Sequence, residues 1–256
     1  MRLEAELDEL HGRLVRVADD AEQNRTADKL AALAEFAAGA GHEINNPLAV
    51  ISGHAQRLLR TEQDDDRADS LRVVVRQTQR IAGILRELMQ FARPPKPQPG
   101  RVAVADVFAA VNADLEALAV ERKVRVEVVN APTDVAIDAD TGQLRQSLVA
   151  VVRNAVEAAG ANGWVRLRCD VTPLAVCLVV EDGGPGLSPE VAAHAFDPFY
   201  CGRPAGRGRG LGLPTAWRLA RQNGGDLRHE PGDGPTRFVF TYPRSGEAAF
   251  PVRDAA

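Results

Sequence analysis

The sequence predicts an α+β protein. A helical hairpin pairs with a second copy into a four-helix bundle, and a domain mixing helices and strands follows it. Three observations carry this reading. Two long segments before residue 93 repeat apolar residues at helical spacing. Four prolines between Pro94 and Pro99 then interrupt the chain. Beyond Arg101, apolar runs of strand length alternate with segments of helix length.

Composition bounds the rest. Of 256 residues, 45% are apolar and 26% charged, which are globular values. A net charge of −4 leaves no basic footprint for nucleic acid. The three cysteines, Cys169, Cys177 and Cys201, have no paired spacing, which argues against a disulfide framework and fits a reducing cytoplasm. No apolar run approaches the ~20 residues of a membrane span. The N-terminus is too charged for a signal peptide, so the sequence implies a cytoplasmic protein without a span of its own.

In order along the chain, residues 1–26 carry Leu3, Leu7, Leu10, Leu14, Val17 and Ala21 in alternating steps of three and four. This heptad pattern suits a short coiled coil or a helix packed on a neighbour. Residues 27–93 form the hairpin. Its first helix, about 27–60, aligns Leu30, Leu33, Ala37, Ala40, Ile44, Leu48, Ile51, Ala55 and Leu58. Its second, about 67–92, aligns Leu71, Val74, Thr78, Ile81, Leu85, Leu88 and Ala92. The polar Glu62–Asp66 turn makes the pair antiparallel. Two helices bury two apolar stripes poorly by themselves, so dimerisation through residues 27–93 is expected. Residues 94–100 are a stiff proline linker. In residues 101–243, helices are expected at 104–121, 141–159 and 213–223. Strands are expected at Val124–Val129, Trp164–Asp170, Ala175–Glu181 and Arg237–Tyr242. Residues 244–256 read as a loose tail.

The first helix carries Gly41-His42-Glu43-Ile44-Asn45-Asn46-Pro47-Leu48. At roughly 100° per residue, His42 lies about 200° from both Ala40 and Ile44, facing away from the apolar stripe. Pro47 lacks an N–H and its ring opposes the carbonyl of Glu43, so a bend beside the histidine is expected. A lone surface histidine is most often simply solvated. The zincin pattern His-Glu-x-x-His fails here, because Asn46 stands where the second histidine is needed.

Three features of the second domain raise His42 above that bland reading. Asn154 sits in an otherwise apolar helix, where an amide is either a metal ligand or a surface residue. Asp182 follows a strongly apolar strand and precedes Gly183-Gly184-Pro185-Gly186; it could accept a hydrogen bond from a base amine or simply make a turn. Gly206–Pro214 is glycine-rich and leads into a helix, which suits phosphate binding through N–H groups. It is neither a P-loop, since no lysine follows Lys123, nor a Gly-x-Gly-x-x-Gly fingerprint.

Together these motifs resemble, from about residue 27 to 242, the dimeric core of a sensor histidine kinase of two-component signalling. Gly41–Leu48 is similar to the family's phospho-acceptor box and Arg153–Ala158 to its asparagine box. Asp182–Leu187 resembles the first glycine box, Phe196–Tyr200 the phenylalanine box and Gly208–Leu213 the second glycine box. Asn223–Asp226 through Gly234–Phe238 resembles the closing hairpin. The resemblance implies that residues 101–243 form a two-layer α/β sandwich of the gyrase-type ATPase superfamily, taking ATP and Mg²⁺. It implies that Asp182 holds the adenine amine, that Asn154 binds Mg²⁺, and that Gly184 and Gly186 shape the first glycine loop. Phe199–Gly210 would form a lid, Arg203 would offer a phosphate a cation, and Gly210 and Gly212 would let backbone approach the triphosphate. His42 would attack the γ-phosphorus, with Glu43 fixing its tautomer or taking its proton. The phosphoryl group would pass to an aspartate of a response-regulator protein. Asn46, one turn from His42 on the same face, is linked in the family to removing that phosphate again.

Three positions depart from the family pattern. Ala150 stands where an asparagine is usual, four residues before Asn154. Cys201-Gly202-Arg203 replaces Thr-Thr-Lys, and Gly183 replaces an asparagine. Ala150 keeps a second class open: a non-kinase scaffold or phosphatase-only protein in which ATP sets conformation. Cys201 beside the lid reads as a small residue before it reads as a redox group.

Overall fold

The computed structural model describes residues 43–202, 210–232 and 234–244. The heptads of 1–26, the first part of the hairpin with His42, Arg203 and the tail lie outside the described residues. The chain divides into two compact units, one ending at Arg93 and the other beginning at Pro94.

In the first unit, helix α1 is described over 43–59 and runs unbroken through Pro47. The Glu62 carboxylate shapes the turn by accepting the N–H groups of Gln63 and Asp64, each at 3.0 Å. Helix α2 (Asp65–Ala92) starts two residues before the expected 67, because Asp64 is its cap and accepts the Arg67 N–H at 3.0 Å. Asp65 and Asp66, which read as turn residues, occupy its first turn, where the helix dipole favours them. Thr78, buried on α2, satisfies its hydroxyl within the helix by donating to the carbonyls of Val74 and Val75. Ile44, Ile51 and Leu58 recur every seven residues on α1, as do Val74 and Ile81 on α2, and all five are exposed.

The second unit orders its elements as β1 (Gly100–Ala103), α3 (Val104–Arg122), β2 (Arg125–Asn130), β3 (Ala136–Ala139), α4 (Thr141–Ala159), β4 (Trp164–Val171), β5 (Ala175–Asp182), α5 (Pro189–Ala193), α6 (Gly212–Gln222), β6 (Asp226–Glu230) and β7 (Thr236–Pro243). Five strands form one mixed sheet in the order β2-β4-β5-β7-β6, with only β2–β4 parallel; β1 and β3 pair separately. Strand alternation sends Val165, Leu167 and Cys169 of β4, and Phe238, Phe240 and Tyr242 of β7, into one core with α3, α4 and α6. The result is two layers. The opposite face carries a charged row across all five strands: Glu127, Arg166, Glu181, Arg237 and Glu230 are cross-strand neighbours in turn. The sequence reading missed β1, β3 and α5, and covered β6 only through the closing hairpin that the resemblance implied. The first two are four-residue strands, one beginning at a glycine that closes a proline run, and α5 is a single capped turn of five residues.

A buried polar cluster joins three distant segments. Asp140 caps α4 by accepting the Gln143 N–H at 2.9 Å, and its second oxygen accepts the Gln98 N–H at 2.8 Å. The Asp140 N–H donates to Asn223 Oδ1 at 2.7 Å. Asn223, which caps the end of α6, donates to Gln143 Oε1 and to the Leu219 carbonyl, both at 2.8 Å. Gln143 Nε2 completes the set by donating to the Pro95 carbonyl at 2.9 Å. From Pro95 onward, the expected linker is therefore bonded to this unit.

Asn223→Ala would strip three partners from buried groups, and we expect it to cost about 2–4 kcal/mol in urea unfolding, within the range for several orphaned buried groups. The Gln98 and then the Gln143 N–H hold the Asp140 carboxyl below its ordinary value. A depressed carboxylate adds stability above its unfolded pKa and loses it as pH falls through its folded one. Stability should thus decline below about pH 4, and Asp140→Asn should flatten part of that decline when unfolding is followed against pH.

Candidate functional site

The site is assembled around α4. Its cap at Asp140 and its buried Leu144, Leu148, Val151, Val152, Ala155 and Val156 fix the helix against the sheet. That rotation leaves Asn154 partly buried, on the same face as Ala150 and Ala158, four residues to either side. Ala150 packs partly buried against the core, so this position contributes apolar contact where an asparagine is usual.

The loop after β5 lies against the end of α4. Asp182 is the last residue of the strand, 2% exposed, and its Oδ1 accepts the Gly184 N–H at 2.9 Å. A Cβ on Gly184 would stand 2.6 Å from Asp182 Oδ1 and 2.9 Å from the Ala158 carbonyl oxygen, so only glycine fits. Gly186 has φ +81°, a conformation that favours glycine. The loop therefore sits one helical turn from Asn154, or ~6 Å along the helix axis.

Helix α6 supplies the third part. Its N-terminal cap residue, Leu211, makes no side-chain cap bond, so the first-turn N–H groups face no acceptor from it. Its C-terminus is bonded to the start of α4 through Asn223. Because α4 and α6 pack together, the 11 residues of α6, ~16 Å long, run back to about the level of Asn154. At the helix entrance, Gly210 has φ +63° and its carbonyl accepts the Phe199 N–H at 2.8 Å. Phe199 is also left-handed, at φ +66°. The two ends of the segment between them thus meet. Phe196 anchors the approach, its ring edge-on to Phe238 at 6.3 Å, while Phe199 is exposed.

Of the residues the sequence nominated, Asn154, Asp182, Gly184, Gly186, Gly210 and Gly212 fall on these three neighbouring parts. Glu43 and Asn46 are exposed on α1, in the other unit. His42 and Arg203 lie outside the described residues. Sequence reasoning missed Trp164, whose indole lies against Gly183. Nothing in the strand pattern marks that tryptophan, and the Gly183 departure was its one trace.

An α/β sandwich with a carboxylate at a strand end, an amide on the adjoining helix and a glycine-bounded helix entrance defines a nucleotide-binding ATPase class. Two family models match in the corresponding places. "His Kinase A (phospho-acceptor) domain" matches residues 32–96, and "Histidine kinase-, DNA gyrase B-, and HSP90-like ATPase" matches residues 139–246. Together they take in more than half of the chain, which belongs to the sensor histidine kinases of two-component systems. The signal transduction histidine-protein kinase AtoS of Escherichia coli K12 is 30% identical over 222 residues, covering 85% of this chain and 36% of that protein. The chain thus spans about a third of that relative's length. Full-length ShkA in complex with AMPPNP has a TM-score of 0.73 at 24% identity, over 84% of this chain and 47% of that one. Histidine kinase ThkA in complex with response regulator protein TrrA has a TM-score of 0.61 at 21% identity, over 89% of this chain and 66% of that one. At these identities both likenesses show the fold. Among the described residues, no helix is long and apolar enough to cross a membrane.

The two glycines at the α6 entrance should separate by substitution. In Gly210→Ala a Cβ would stand 2.5 Å from the Phe199 carbonyl carbon and the Tyr200 oxygen. We expect a loss of about 1–3 kcal/mol, as for other forced left-handed residues. A Cβ at Gly212 meets nothing within 4 Å among the described residues, so Gly212→Ala should unfold at the parent's urea midpoint or slightly above it.

Proposed function

We propose that this chain binds ATP with Mg²⁺, phosphorylates itself on His42 and passes the phosphoryl group to an aspartate of a response regulator. The observation that carries the reading is the convergence of Asn154, the Asp182–Gly186 loop and the α6 entrance in the unit that follows the His42 segment in sequence. Asp182 would accept the adenine amine, since its carboxylate is buried and already oriented by the Gly184 N–H. The first-turn N–H groups of α6 would take phosphate oxygens, and glycine at 212 leaves the backbone open to them.

Asn154 would offer Mg²⁺ one neutral oxygen donor. Among the described residues no group of three or more His, Cys, Asp or Glu side chains could hold a metal by itself. A cation here would then rest on Asn154 and the nucleotide's own phosphates. When bound, the ion would neutralise charge on the phosphates during transfer. Arg203 would add a cation from the lid.

His42 would act as nucleophile, and Glu43 beside it would orient the imidazole or receive its proton. Asn46, exposed one turn along, would place a water for the reverse removal of phosphate from the regulator. Dimerisation through residues 27–93 would cover the heptad lines Ile44, Ile51, Leu58 and Val74, Ile81, which are exposed in the single chain. The relative crystallised with a response regulator supports such a partner here, and a cytoplasmic setting would supply the ATP. Ala150 favours one second reading, a phosphatase or scaffold that binds ATP without transferring it.

Incubation of the full chain with γ-labelled ATP and Mg²⁺ tests the choice. We expect acid-labile label on the parent, none on His42→Gln, and at least roughly a hundredfold less on Asn154→Ala, the scale of a lost transition-state contact. Measurable ATP binding with no label on the parent would reject the kinase in favour of the second reading.

A further inference from the structure

We propose that Trp164 is a positioning residue for the nucleotide, bracing the Asp182–Gly184 loop from the sheet face opposite the helices. The inference rests on the ATP-binding reading above and adds a residue to it. Trp164 opens β4, and its successor Val165 pairs with Asp182, so the tryptophan lies beside the first residue after β5. The Gly183 N–H donates to the Trp164 carbonyl at 3.1 Å. The indole occupies the space a side chain at 183 would need: a Cβ there would lie 2.6 Å from Nε1, 2.9 Å from Cε2 and 3.1 Å from Cδ1. Gly183 is not among the residues with positive φ. Space, not backbone conformation, therefore demands glycine at this position.

The brace is itself held. The Arg166 guanidinium stacks over the Trp164 ring at 4.3 Å and pairs with Glu127 at 3.5 Å. On the loop's other side, the Ala158 carbonyl leaves Gly184 no room for a side chain. The loop is thus gripped between an indole on one side and the end of α4 on the other. Asp182 cannot shift without displacing one of them, so its carboxylate is fixed before any ligand arrives. Trp164 would act through the loop it braces.

The test is ATP affinity of the full chain, measured by calorimetry for the parent, Trp164→Ala, Trp164→Phe, Gly183→Asn and the Trp164→Ala/Gly183→Asn double variant. Amide exchange of 183–186 without nucleotide is the second readout. We expect Trp164→Ala to weaken binding roughly tenfold, the scale of one lost ordering contact. It should also speed exchange in the loop while leaving the core protected. Trp164→Phe should retain affinity within roughly threefold, because a ring still covers the glycine. Gly183→Asn should weaken binding at least tenfold by forcing the loop against the indole, and the double variant should bind more tightly than Gly183→Asn alone. Parent-like binding by Trp164→Ala, or a double variant no better than Gly183→Asn, would overturn the proposal while leaving ATP binding intact. A parent that binds no ATP would overturn the nucleotide reading itself, and this inference with it.

Discussion

The hydrogen bonds among Asp140, Gln143 and Asn223 are the constraint on which the second unit's geometry depends. They tie the start of α4 to the end of α6, two helices otherwise held by non-directional apolar packing. Apolar contact tolerates small slides of one helix along another, whereas a buried, hydrogen-bonded amide pair does not. Gln143 is 5% exposed and Asn223 9%, so a slip would leave donors and acceptors unpaired in a dry interior. Fixing these ends sets where the other end of α6 falls, near the level of Asn154. The distance between the α6 entrance and the Asn154 amide is thus determined at the far end of both helices.

The same cluster gives the proline segment a different meaning. Pro95 and Gln98 are bonded to Gln143 and Asp140, and Gly100 already pairs with Ala139. The Arg93 N–H, in turn, bonds back to Met89 at the end of α2. This leaves the joint between the units at about Arg93 and Pro94. Prolines suit such a joint, since they extend the chain without requiring backbone donors.

Much of this was legible from residues, and unevenly so. The helices of the second unit, with their long apolar periodicity, were placed within about one residue, because burial against a sheet dictates that period. The strands with strong β-branched runs were equally clear. β1 and β3 were not, since four residues that stabilise only each other leave no pattern in sequence. The start of α2 was read two residues late because an acidic run serves equally as a turn or as a cap and first turn. At the site, Asp182, Gly184 and Gly210 could be nominated from motif order, but the reason each is needed appears only with neighbours distant in sequence. Ala158 lies 26 residues before Gly184, and Trp164 19 before Gly183. The Asp140–Asn223 tie, across 83 residues, had no sequence signal, because single polar residues at helix ends are common.

We propose that α4, the loop after β5 and the α6 entrance form one ATP site. Hydrogen exchange of the full chain, with and without Mg²⁺ and a non-hydrolysable ATP analogue, tests it most directly. We predict protection confined to α4 around Asn154, to Asp182–Gly186 and to the α6 entrance from Gly210 onward, with the charged sheet face unchanged. Protection centred on that sheet face, or binding that leaves Asp182–Gly186 unaltered, would contradict it.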